Sequence, residues 1–161
     1  MIEIERKFLV KSEAFKKEAH SSSRIIQGFL NTDPERTVRV RVIGNEGIIT
    51  VKGLSSDEGL KRFEWEKTIP KEEALSLLQL CEEGVIDKTR FFITLKNHTF
   101  EVDVFHNLNE GLIIAEVELN SISEKFPRPC WLGEEVTGTI KYYNSELSKN
   151  PYRNWSSMEQ D

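Results

Sequence analysis

Charged side chains recur two residues apart, each time with apolar residues between them. Glu3, Glu5 and Lys7 alternate with Ile2, Ile4 and Phe8; Arg39 and Arg41 alternate with Val38, Val40 and Val42. Lys52 shares its side with Thr50, against Ile49 and Val51, while Arg62, Glu64 and Glu66 oppose Phe63 and Trp65. Lys88 and Arg90 oppose Thr89 and Phe91, Glu101 and Asp103 oppose Phe100, Val102 and Val104, and Glu116 and Glu118 oppose Ala115, Val117 and Leu119. Successive side chains of a β-strand point to opposite faces, so each stretch has one charged and one apolar face. Clustered carboxylates supply hard oxygen ligands for Mg²⁺ or Mn²⁺, and Lys and Arg hold phosphate oxygens.

An antiparallel sheet ordinarily has one wet face, and any single strand fits that reading. The set does not. A solvated face mixes signs, because like charges in register repel, whereas here four strands carry acidic pairs and two carry basic pairs. Closed with the charges inward, the strands form a polar bore whose apolar outer face needs covering helices. Buried like charges cost several kcal/mol each unless an ion or ligand compensates them. Eight acidic and six basic side chains leave two negative charges; two divalent cations reverse the sign and suit a polyanion rich in phosphate.

Eight alternating stretches run from IEIERKFLV through RIIQGFLN, TVRVRVIG, GIITVKG, KRFEWEKTI, VIDKTRFFITLK and HTFEVDVF to LIIAEVELN, with turn-like sequences such as GNEG and KNH between several of them. The fold predicted is α+β, mainly β: an eight-stranded antiparallel closed barrel with a charged lumen, covered outside by two to three helices. The helices are expected over 12–20 with Ser12 as N-cap, over 69–84 with Pro70 at the entry and Gly84 as the stop, and within 138–151. Residues 1–155 are expected to form one domain and 156–161 a frayed tail.

At 161 residues, 38% hydrophobic and 30% charged, the chain reads as one soluble globular domain. A net charge of −5 provides no global field for nucleic acid, and no apolar run approaches the roughly 18 residues of a membrane span. The acidic N-terminus is unlike a secretory signal, and Cys81 and Cys130 lack metal-like spacing, so a reducing cytoplasm is expected. Outward apolar faces leave room for a homodimer. Trp65, Trp131 and Trp155 are expected to be packing residues, Trp65 beneath a covering helix.

Taken together these residues resemble the triphosphate tunnel metalloenzymes, or CYTH proteins. Their N-terminal signature E-x-E-x-K is Glu3, Glu5 and Lys7; QGFL is similar to the second-strand Q-G-Y-L, with Phe29 at the tyrosine; and VRVR, TVKG, FEWEK, KTR, EVDVF, AEVEL, WLGEEVTG and YYNSEL follow in order over about the whole chain. The resemblance implies that Lys7, Arg39, Arg41, Lys52, Lys88 and Arg90 bind a triphosphate. It implies that Glu3, Glu5, Glu116 and Glu118 hold one divalent metal, Mg²⁺ or Mn²⁺, and that Glu64, Glu66 and Asp103 contribute to a second; Glu101 is in register with them.

The expected activity is metal-dependent hydrolysis of a small-molecule triphosphate, inorganic tripolyphosphate, to pyrophosphate and phosphate, with Lys88 as the catalytic residue that orients water or stabilises departing charge. The alternatives are a class IV adenylyl cyclase, a thiamine triphosphatase, and a non-catalytic barrel that binds polyphosphate or nucleotides.

Overall fold

The alternating stretches become strands of one antiparallel sheet closed on itself. The computed structural model describes residues 2–160, without the side chain of Glu159. The strands are β1 (Ile2–Val10), β2 (Ser21–Asn31), β3 (Thr37–Ile43), β4 (Glu46–Ser56), β5 (Lys61–Pro70), β6 (Ile86–Leu95), β7 (His98–Phe105), β8 (Ile113–Leu119) and a short β9 (Leu132–Glu135). Around the sheet they run β5, β4, β3, β2, β6, β7, β8, β1, and β1 closes the ring by pairing with β5 through Ile2–Phe63, Glu3–Arg62 and Ile4–Lys61. The other half of that edge of β1 pairs with β9, through Phe8–Glu135 and Val10–Leu132. Closure removes the exposed edges that an open sheet of this size presents.

The apolar faces turn outward and are covered in two patches. Phe8, Phe100, Val102, Ala115, Val117 and Ile93 pack with Trp131, Leu132 and Phe15, the last from α1 (Phe15–Glu18). Val40 and Val42 pack under Ala74 of α2 (Lys71–Leu78), with Leu77, Leu78 and Cys81 around them. The approach of α2 depends on glycine. A Cβ on Gly47 stands 2.5 Å from the Ala74 Cβ, and one on Gly28 stands 2.9 Å from the Cys81 Cβ. Gly47→Ala is therefore expected to destabilise the protein by about 1–3 kcal/mol through overpacking, read as a lower midpoint in urea at unchanged m.

Several helical expectations shorten. Helix α1 is a single turn, and Ser12 does not cap it; the cap position is Ala14, whose N–H reaches the Ser12 hydroxyl at 3.4 Å. Helix α2 ends before Gly84, which instead sits at φ 93 and so close to the C-terminal segment that a Cβ there would lie 1.8 Å from the Ser148 carbonyl oxygen. The expected third helix breaks into a 3₁₀ turn at Ile140–Tyr142 and α3 (Asn144–Leu147), with Tyr143 extended between them at φ −69, ψ 137. In the tail, Ser157–Gln160 form a turn of helix, α4, with the Gln160 side-chain amide donating to the Tyr152 carbonyl at 2.9 Å; Asp161 lies outside the described residues.

Trp131 and Trp155 are packed as expected, but Trp65 is 37% exposed beside the exposed Phe63, so it is not sealed beneath a covering helix. Cys81 and Cys130 are both free thiols. Among the described residues no helix is long and apolar enough to cross a membrane.

Candidate active site in the barrel interior

The inward positions of the strands enclose a cavity of about 520 Å³. Glu3, Glu5 and Lys7 reach it from β1, Arg39 and Arg41 from β3, Lys52 from β4, Glu64 and Glu66 from β5, Lys88 and Arg90 from β6, Glu101 from β7, and Glu116 and Glu118 from β8. Of the residues expected to face it, Asp103 alone is not on its wall. The inward register continues past Lys7, Lys88, Asp103 and Glu116 to Leu9, Ile86, Phe105 and Ile114. These pack with Val136, Tyr142, Leu147 and Trp155, so one end of the bore is filled by an apolar plug from the C-terminal segment.

Carboxylates face one another at several points of the wall, although Lys7, Arg41, Lys52 and Arg90 each have an acidic neighbour. Across the β1–β8 ladder Glu5 stands directly opposite Glu118 and Lys7 opposite Glu116; across β7–β8 Glu101 stands opposite Glu116. Like charges in such register repel. Burial, then a hydrogen bond and charge repulsion from Glu3, push the Glu5 carboxyl above its ordinary pKa. Burial and Glu5 raise Glu116, and burial and Glu101 raise Glu118. On the basic side the direction reverses. Burial, helped by Arg41 and Arg90, pushes Arg39 down to about 9; burial and Arg90 lower Arg41; burial and Arg39 lower Lys52. Several ion pairs within the bore are loose, Lys52 lying 3.8 Å from Glu3 and 3.6 Å from Glu64, and Arg41 3.3 Å from Glu66.

Asp103 behaves differently. Burial alone would raise its pKa, but Arg90 and Lys88 outweigh it and hold the carboxylate well below the usual range. Arg90 grips it as a fork, Nε to Oδ1 at 2.7 Å and a terminal nitrogen to Oδ2 at 2.8 Å, while the Lys88 Nζ reaches Oδ2 at 2.9 Å. Arg90 also pairs with Glu101. Both Asp103 oxygens are thus bonded to side chains of β6 in the metal-free barrel, unlike the glutamates that face the cavity. Burial pushes Lys88 down to about 8 in spite of this partner.

The pKa directions fix a pH response for the metal-free protein. Glu5, Glu116 and Glu118 are raised in the folded state, so the native form binds more protons than the unfolded chain just above the ordinary carboxylate pKa of 4.5. Their contribution is fully present below that value and is lost as pH rises through the folded values. Thermal denaturation of the metal-free protein is expected to show a higher midpoint at pH 5 than at pH 7. A saturating divalent cation is expected to reduce the difference.

Some wall residues carry no period-2 signal. Tyr143, Asn144 and Ser145 enter from the C-terminal segment, with the Tyr143 ring 4.9 Å beneath the Lys7 Nζ. Arg62, on an expected charged face, is held by the wall: its Nε donates to the Gly53 carbonyl at 2.6 Å and a terminal nitrogen to the Thr37 hydroxyl at 2.9 Å. Phe29 is on the cavity wall, so the missing tyrosine hydroxyl is one donor fewer inside the bore.

The sequence profile of the CYTH domain matches residues 1–151. This chain belongs to the CYTH family. It is 46% identical over 154 residues to the inorganic triphosphatase of Acetivibrio thermocellus, covering 95% of this chain and 97% of that protein. It is 36% identical over 152 residues to that of Nitrosomonas europaea, covering 92% and 97%. A crystal structure of an inorganic triphosphatase superposes with a TM-score of 0.64 at 33% identity, over 91% of this chain and 93% of that one. A Pyrococcus horikoshii protein, 22% identical with a TM-score of 0.61 over 75% and 80%, shares the fold.

The interior of this CYTH barrel fits a hard divalent cation by its donors. The available ligands are all carboxylate oxygens, and the Glu64 Oε2 is buried with no hydrogen-bond partner. Among the described residues no three such side chains already converge on one point; a hard cation can be held by one or two carboxylates, with phosphate and water completing its shell.

Proposed function

We propose that this CYTH protein hydrolyses inorganic tripolyphosphate to pyrophosphate and phosphate, with a divalent cation, Mg²⁺ or Mn²⁺, as cofactor. The observation that carries the reading is the wall of one cavity shared by Glu3, Glu5, Glu116 and Glu118 and by Arg39, Arg41 and Lys52, with Glu5 directly opposite Glu118; burial pushes Glu5 and Glu116 up and Arg39 and Lys52 down. A guanidinium stays charged at neutral pH, so this pressure is relieved by ligands of both signs, a cation on the glutamates and a polyanion on the basic wall. The two relatives named inorganic triphosphatase support tripolyphosphate as that polyanion.

Glu3, Glu5, Glu116 and Glu118 would hold one ion, and Glu64, Glu66 and, through water, Asp103 would contribute to a second. A bound cation supplies charge neutralisation at the phosphoryl oxygens and acidifies water. Arg39, Arg41, Lys52, Arg90 and Lys7 bind and orient the phosphate chain; fixing its geometry lowers the entropic part of the barrier. Lys88, where the polar bore meets the apolar plug, donates to the attacked phosphate or the incoming water. The water oxygen forms the new P–O bond as the bridging P–O bond breaks. The plug excludes bulk water from that end, which strengthens each charge contact there.

The same reading treats residues 1–155 as one domain working in a reducing cytoplasm. Its surface for a second copy is the exposed face around Phe63 and Trp65.

The test is a panel of tripolyphosphate, ATP and thiamine triphosphate with Mg²⁺, Mn²⁺ or chelator, assayed for phosphate, pyrophosphate and cyclic AMP. Equimolar phosphate and pyrophosphate from tripolyphosphate, lost with chelator, is the expected result. Cyclic AMP with pyrophosphate from ATP as the preferred reaction replaces this reading with the cyclase, and binding without turnover replaces it with the non-catalytic barrel.

A further inference from the structure

Asn144 opens α3, where the C-terminal plug meets the bore. Its Oδ1 accepts from the Lys88 Nζ at 2.9 Å and from the Gln27 Nε2, also at 2.9 Å. Lysine can only donate, so the oxygen of the Asn144 amide must face Lys88, and Gln27 must then present its NH₂ group to the same oxygen. The orientations of both amides follow from one ammonium.

Lys88 has three N–H groups. One is engaged by Asp103 and one by Asn144, each at 2.9 Å, and Lys88 lines the cavity, so the third is left for a group held there. Two fixed acceptors determine where that third N–H points; with Asp103 alone the ammonium swings about one contact. Gln27 is fully buried, and its Oε1 has no hydrogen-bond partner. A buried unpaired amide oxygen costs about 1–3 kcal/mol. A hydrophobic residue would avoid that cost, so the Gln27 side chain is poorly explained as packing, while its NH₂ group explains the position of Asn144.

We propose that Asn144, braced by Gln27, is a positioning residue that aims the free N–H of Lys88 at the phosphoryl group undergoing attack. This rests on the role given to Lys88 above. Asn144 also belongs to the plug, so the aim of Lys88 depends on the C-terminal segment being docked.

The test uses full-length protein carrying Asn144→Ala, Asn144→Asp or Gln27→Leu, each first checked for folding by thermal denaturation. With tripolyphosphate and Mg²⁺, Asn144→Ala is expected to lose about a hundredfold in kcat, the order of effect of a misplaced reacting group, with KM little changed. Asn144→Asp retains an acceptor oxygen and is expected to recover most of kcat with a higher KM, because the added carboxylate repels phosphate. The ¹⁵N resonance of the Lys88 ammonium reports the clamp without turnover. Its proton exchange with water is expected to be about tenfold or more faster in Asn144→Ala and Gln27→Leu, and to stay slow in Asn144→Asp. Wild-type kcat in Asn144→Ala, or unchanged ammonium exchange in that variant, overturns the proposal. If the wild type does not cleave tripolyphosphate, the triphosphatase reading fails, and the exchange measurement still decides whether Asn144 holds Lys88.

Discussion

Glu5→Gln is expected to abolish divalent-cation-dependent turnover of tripolyphosphate, by about a thousandfold or ~4 kcal/mol of transition-state stabilisation, and to leave the protein more stable than wild type. The two effects share one cause. Glu5 is half-buried, hydrogen-bonds Glu3 and stands directly opposite Glu118, an arrangement that opposes folding and favours a cation. The amide keeps the shape of the side chain and removes the charge. Relief of like-charge repulsion across a strand pair contributes up to about 1 kcal/mol, which for a chain of this size moves the melting midpoint up by about 2–4 °C. Activity by phosphate release and stability by calorimetry, both on metal-stripped protein with cation added back, read the pair. Lost activity with lost stability would instead make Glu5 a structural residue, and retained activity would remove it from the ligand set.

Lys88→Met is expected to lower kcat by about a hundredfold to a thousandfold, with a much smaller change in KM. Methionine follows the lysine stem past the Phe105 ring, 5.6 Å from the ammonium, and preserves the packing at the head of the plug. Asp103 keeps its two bonds from Arg90, so the variant does not leave that carboxylate unpaired. Ground-state binding is left to Arg39, Arg41, Lys52 and Lys7. Steady-state kinetics over a range of tripolyphosphate concentrations separates the outcomes: a rise in KM at constant kcat makes Lys88 one more phosphate ligand rather than the residue acting on the reacting group.

The barrel was legible because seven of its eight long strands repeat a period of two, and because pairs of like charge tend to share a strand. β1 and β7 match their expected spans residue for residue, and the others differ by a few residues at their ends. What escaped has no period to read. β9 is four residues whose place beside β1 is set by tertiary packing, and α1 and α3 are single turns fixed by what they cover. The inside of the bore was legible by residue type but not by pairing. Asp103 shares the parity of Glu101, yet its neighbour across the ladder is Arg90, and that register makes it the anchor of a basic pair in the metal-free barrel. Asn144 and Gln27 are neutral amides far apart in sequence, brought to the Lys88 ammonium by barrel closure and by the plug.

The most direct measurement of the central claim, that the charged bore is where cation and polyphosphate meet, is anomalous scattering from Mn²⁺ in crystals of the Glu5-intact protein grown with tripolyphosphate. The expected map places manganese on carboxylates among Glu3, Glu5, Glu116 and Glu118, with phosphate density against Arg39, Arg41 and Lys52. Manganese and phosphate bound only outside the barrel, with Glu5 and Glu118 left in contact with each other, would contradict it.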